Sequence, residues 1–102
     1  MKLLTKDLTA NEIEFYKFAI EASIKYGHVT VDEIKFTDCQ LSDNQIKGYV
    51  GALTKKGFIE PDGEYRSIFY VYAMFTDDEW TPTFYGEELE DNQRQAIKEF
   101  IG

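Results

Sequence analysis

A chain of 102 residues with 43% hydrophobic and 16% aromatic side chains has the size of one domain and enough apolar material for a core without metal or disulfide support. Its single cysteine, Cys39, excludes an intramolecular disulfide, and no metal-ligand spacing or glycine-rich phosphate loop is present, so no cofactor is expected. The net charge of −8 argues against indiscriminate nucleic-acid binding, and no apolar run approaches the roughly 20 residues of a membrane span.

The N-terminal MKLLTKDLTANE lacks the apolar stretch of a signal peptide, so a reducing, cytoplasmic location and no membrane partner are expected. Three S/T-x-x-E/Q patterns then announce helices: Thr9-Ala10-Asn11-Glu12, Thr30-Val31-Asp32-Glu33 and Ser42-Asp43-Asn44-Gln45. In each, a hydroxyl and the side chain three positions on can satisfy orphan backbone N–H groups reciprocally. The first helix is predicted over residues 10–26, with Ile13, Tyr16, Ile20 and Ile24 at helical spacing, widened by Phe15, Phe18, Ala19 and Ala22, and Gly27 as terminator. So broad an apolar surface marks the central helix. Next to Gly27, His28 reads as a capping or solvent-exposed residue.

A short second helix is predicted from Val31 to about Thr37, offering Val31, Ile34 and Phe36 to the core. Asp38-Cys39-Gln40-Leu41 forms a tight turn in which Cys39 packs as a small half-buried residue. The third helix runs from Asp43 to Lys56, with Ile46, Tyr49, Val50 and Leu53 inward and Gly57 closing it. Within it, Gly48 and Gly51 each cost about 1 kcal/mol of helix propensity against alanine. Close approach of another backbone or of a partner would explain them.

After Gly57 the chemistry turns to strand: Phe58-Ile59, the turn Glu60-Pro61-Asp62-Gly63, and the β-rich run Tyr65 to Phe75, making a two-stranded hairpin. Both faces of that run are apolar, so both are covered or one meets a partner. Thr76 to Glu87, with Asp77-Asp78-Glu79-Trp80-Thr81-Pro82, reads as an acidic loop. From about Glu88 to Ile101 a fourth helix sets Leu89, Gln93, Ala96, Ile97, Phe100 and Ile101 on one face, to pack on the first helix or on a second subunit.

The order helix, short helix, turn, helix, glycine, hairpin is that of a winged helix-turn-helix. Residues 41–60 resemble the second half of the motif in MarR-like and related winged-helix regulators: a polar N-cap, apolar helix positions, a leucine, then Lys-Gly and an apolar pair. Ser42, Ile46, Val50, Leu53, Lys56, Gly57, Phe58 and Ile59 match in place. The resemblance covers residues 10–75 in topology. It implies an α+β, single winged-helix domain over 1–102, with a core at 10–75 and an acidic loop and C-terminal helix at 76–102.

The resemblance further implies a DNA-binding transcriptional regulator acting as a homodimer on double-stranded DNA; small size and acidity add a phage or mobile-element accessory protein as a variant of that expectation. Asn44 and Gln45 carry the donor and acceptor pair that suits adenine, Lys47 can reach a guanine edge or a phosphate, and Lys55, Lys56 and Arg66 can hold phosphates. Against this, Glu60, Asp62 and Glu64 stand where such regulators carry basic wing residues, and would repel a phosphate backbone.

The charge is also uneven: residues 42–57 carry three lysines against one acid, whereas residues 76–102 carry Arg94 and Lys98 against eight acids. That imbalance motivates an alternative, an acidic interaction module or inhibitor that binds a nucleic-acid-binding protein through Asp77, Asp78, Glu79, Trp80, Glu87 and Glu88. No nucleophile, base and orienter can be assembled around His28, so catalysis is not expected.

Overall fold

The computed structural model describes residues 1–65, 67–84 and 89–102. Among them the chain forms four helices, α1 (Ala10–Tyr26), α2 (Val31–Lys35), α3 (Asp43–Lys55) and α4 (Asp91–Ile101), and three strands, β1 (Ile59–Pro61), β2 (Phe69–Thr76) and β3 (Glu79–Pro82). The sheet is antiparallel in the order β1-β2-β3, an α+β arrangement compatible with a winged helix.

Local chemistry fixes where the helices begin. Thr9 and Ser42 each accept the N–H three residues on, at 3.2 Å from Glu12 and 3.2 Å from Gln45, while Glu12 and Gln45 accept back from the Thr9 and Ser42 N–H groups at 2.8 and 2.9 Å. Glu33 accepts from the Thr30 N–H at 3.1 Å. A fourth reciprocal cap, Glu90 with Gln93, starts α4. Its acidic N-cap hid it from the hydroxyl-based pattern, and α4 consequently starts at Asp91 rather than near Glu88, which lies outside the described residues.

α1 is the hub. Its Phe15, Tyr16, Ala19, Ile20 and Ala22 are buried, and it touches α2, α3, α4 and β2. The buried strip is wider than the isoleucine spacing implies, because Glu12 and Ser23 also lie within it, while Ile13 and Ile24 sit at its half-buried margins. Packing of α4 on α1 through buried Ala96 and Ile97 settles the first of the two destinations expected for that helix. Ser23 and Thr83, both fully buried, bring their hydroxyls to 2.9 Å, and Thr83 donates to the Val71 carbonyl, also at 2.9 Å. This polar stitch ties the chain after β3 to α1.

Three expectations are corrected. Phe36, assigned to the core, is 69% exposed: α2 has only five residues, and positions 34 and 36 lie about 200° apart on a helix, so burying Ile34 turns Phe36 outward. Buried Thr37 and Cys39 fill the turn instead, which reverses at Asp38 with a left-handed φ of 61°. The hairpin is three-stranded, since Glu79–Pro82 pairs with β2 across a two-residue turn and a register shift between Met74 and Thr76. Finally, β2 begins at Phe69, not Tyr65, which is 62% exposed in the connecting loop.

One further pairing shapes the sheet. Val29, between α1 and α2, exchanges both backbone hydrogen bonds with Phe69 at 2.9 Å, on the β2 edge that carries β3 further along. The N-terminal segment also joins, with the Leu4 N–H on the Met74 carbonyl at 2.7 Å.

Candidate functional site

The α3 helix presents two unlike sides. Ile46 and Leu53 are fully buried, Tyr49 and Val50 half-buried, and Tyr49 stacks on Phe15 with centroids 5.2 Å apart. Asn44, Gln45, Lys47, Gly48, Gly51 and Lys55 are exposed. Among the described residues, a methyl group placed on Gly48 or Gly51 would meet no atom within 4 Å, so neither glycine makes room there for another of them.

The side chains named from sequence have unequal freedom. Asn44 and Lys47 stand exposed over the first two turns, and Lys47 lines a groove of about 430 Å³ with Asp32, Asp43, Val50 and Ser67. Asp43 is neutralised by Lys35 at 2.7 Å, which holds its carboxyl below the usual range. Gln45 has its carbonyl oxygen held by the Ser42 cap, which fixes its orientation and leaves its NH2 and one oxygen lone pair for a partner. Among the described residues neither Lys47 nor Lys55 forms an ion pair. Arg66, Glu87 and Glu88 lie outside the described residues.

Lys56 serves a different purpose. Its ammonium donates to Glu12 Oε1 at 2.7 Å and to the Asp7 carbonyl at 2.6 Å, bracing the end of α3 against the start of α1. Lys56, followed by the Thr9 N–H, lowers the Glu12 carboxyl pKa. With Glu12 only 9% exposed and Lys56 32%, the pair falls between surface and interior, and Glu12→Gln is expected to cost about 1–2 kcal/mol at pH 7. Because the folded pKa is depressed, that stability is present above the ordinary value of about 4.3 and is lost as pH falls through the folded one. Urea melts of both proteins should therefore differ at pH 7 and converge toward pH 3; a constant gap would remove the charge from the explanation.

Of the acidic residues of the alternative reading, Asp77, Asp78 and Glu79 sit at the β2–β3 turn. Asp77 pairs with Lys6 at 2.5 Å, Asp78 accepts from the Thr76 hydroxyl at 3.0 Å, and Glu79 is exposed. Trp80 is 37% exposed and packs edge-on against Phe58 at 4.8 Å.

Sequence reasoning missed what the hairpin acids do. Asp62 accepts from the Glu64 and Tyr65 N–H groups and from the Tyr70 hydroxyl at 2.8 Å, contacts that lower its pKa, the Tyr65 N–H foremost. Glu60 accepts from the Tyr72 hydroxyl at 2.9 Å, and burial, then Glu60, pushes that phenol up to about 12. Tyr70 and Tyr72 alternate with the core residues Phe69, Val71 and Ala73, so they share the sheet face turned away from α1. The signal in the sequence was two acid and tyrosine pairs, Glu60 with Tyr72 and Asp62 with Tyr70, flanking one turn.

Among the described residues no group of three His, Cys, Asp or Glu is placed to hold a metal ion, and no helix is long and apolar enough to cross a membrane. Cys39 is buried and His28 exposed. Comparison with protein-family models, with curated proteins and with solved structures finds no match for this chain.

Proposed function

We propose that this chain is a winged-helix domain that binds double-stranded DNA through the polar side of α3, as a small regulator. The observation that carries the reading is α3 itself, capped at Ser42, anchored by Ile46 and Leu53, and leaving Asn44, Lys47 and Lys55 exposed in front of a β-hairpin. The Val29 bridge to Phe69 is compatible with it, since it joins the chain between α1 and α2 to the same sheet as the hairpin. In this reading Asn44 addresses an adenine edge, while Lys47 and Lys55 contact phosphates or a guanine.

Two free lysines per subunit set a modest electrostatic contribution. Affinity should fall about tenfold per subunit between 50 and 200 mM salt, and a homodimer would square that factor. Fluorescence anisotropy with a mixed-sequence duplex tests this: Lys47→Ala should weaken binding and flatten the salt dependence. Gly48→Ala gives an orthogonal readout, because alanine should raise helix stability by about 1 kcal/mol yet reduce affinity if DNA approaches that position closely. Absence of any binding by micromolar protein at 50 mM salt would end the DNA reading.

A second reading is favoured by one observation, the exposed acids Glu60, Glu64, Asp78 and Glu79 around the sheet, which suit a basic protein partner rather than a phosphate backbone.

A further inference from the structure

Where α3 hands the chain to β1, an open groove of about 390 Å³ is lined by Thr54, Gly57, Glu60, Pro61, Tyr72 and Trp80, together with Ile59. Two of these are aromatic rings, one is a carboxylate and none is a cation. Glu60 spends one oxygen on the Tyr72 hydroxyl at 2.9 Å; its other oxygen accepts no hydrogen bond among the described residues. Trp80 keeps 37% of its surface open while its ring is steadied by Phe58 and by the backbone at Gly57. Lys56, the nearest lysine in sequence, is drawn off toward Glu12 and Asp7 and does not neutralise the groove.

Pre-positioned aromatic rings beside an unsaturated carboxylate are the chemistry that receives an organic cation. A guanidinium fits better than an ammonium, because its flat face stacks on an indole while its edge donates to a carboxylate. We propose that this groove receives an arginine side chain from a basic segment of a partner protein. The surrounding acids, and the net charge of −8, favour that partner's approach from a distance. The proposal rests on the second reading above and sharpens it, by assigning the contact to Glu60, Tyr72 and Trp80.

Trp80 is the sole tryptophan, so the intact protein carries its own reporter in the groove. Titration with a tetra-arginine peptide up to millimolar concentration should change its fluorescence saturably, a tetra-citrulline peptide should not, and tetralysine should bind more weakly. Glu60→Gln, which preserves shape and an acceptor for Tyr72, should weaken tetra-arginine binding about tenfold, whereas Glu64→Gln, an equal charge loss on an exposed loop residue, should leave it nearly unchanged. Equal losses in the two variants would overturn the groove and leave only diffuse acidity. Equal binding of tetralysine would overturn the assignment to arginine, and no response to either peptide would overturn the basic-partner reading along with the groove.

Discussion

Gly57→Ala is expected to lower stability by about 2–3 kcal/mol, a large share of the 5–15 kcal/mol that holds a small domain together. Two causes add at this residue. Its φ of 92° lies in the left-handed region that side chains avoid, and a Cβ built there would sit 2.9 Å from Trp80 Cζ2 and 3.4 Å from Cε2. The indole can relieve this only by shifting off the Phe58 ring it packs against, toward the open groove. In a Trp80→Ala background only the backbone cost should survive, about 1–2 kcal/mol, so a double-mutant cycle followed by circular dichroism in urea should return a coupling near 1 kcal/mol. Identical costs in both backgrounds would show that the ring exerts no pressure on this junction. The junction matters because it sets the angle between the exposed side of α3 and the sheet, and it forms one wall of the Trp80 groove.

What could be read from the residues alone follows from the range of the interactions. α1 and α3 were bounded to within a residue because their caps and terminating glycines act over three or four positions. β3 was invisible because Asp77 and Asp78 are not the glycine or asparagine that mark a tight hairpin, and a charged residue and a proline flank Trp80 and Thr81 in a strand of four. Interactions across the chain were harder still. The sequence offers Lys56 as a phosphate contact, and nothing local in it signals the ion pair with Glu12, 44 positions away. Glu60 and Asp62 looked like a wing that repels DNA, and they do carry negative charge there, yet they also hold Tyr72 and Tyr70 in place. The exposed side of α3 was legible because amphipathic spacing reports burial directly; the groove beside Trp80 was not, since four separate elements, α3, β1, β2 and β3, build it.

Tyr16→Phe should cost about 1–3 kcal/mol although it removes a single oxygen. The reason lies where α3 meets the sheet. Continuing the β1–β2 register by one position pairs Phe58 with Tyr72, and the Tyr72 N–H does reach the Phe58 carbonyl at 2.9 Å. The reciprocal bond is missing, because the Phe58 N–H turns back to close α3 on the Leu53 carbonyl at 3.0 Å. The Tyr16 hydroxyl takes its place, donating to the Tyr72 carbonyl at 2.5 Å from a fully buried ring set edge-on to Phe58 and Phe100. Phenylalanine would keep those ring contacts and leave the carbonyl without this donor, whereas Tyr16→Leu should cost more, about 3–5 kcal/mol, by also opening a cavity. Burial drives the Tyr16 phenol far above its ordinary value near 10, so the folded state holds this proton more tightly than the unfolded chain does. Its stabilising contribution is therefore complete below pH 10 and shrinks as pH rises beyond it. Urea melts should show wild type and Tyr16→Phe well separated at pH 8 and drawing together by pH 11; curves that stay parallel would mean the hydroxyl is not buried in the way its bond to Tyr72 requires.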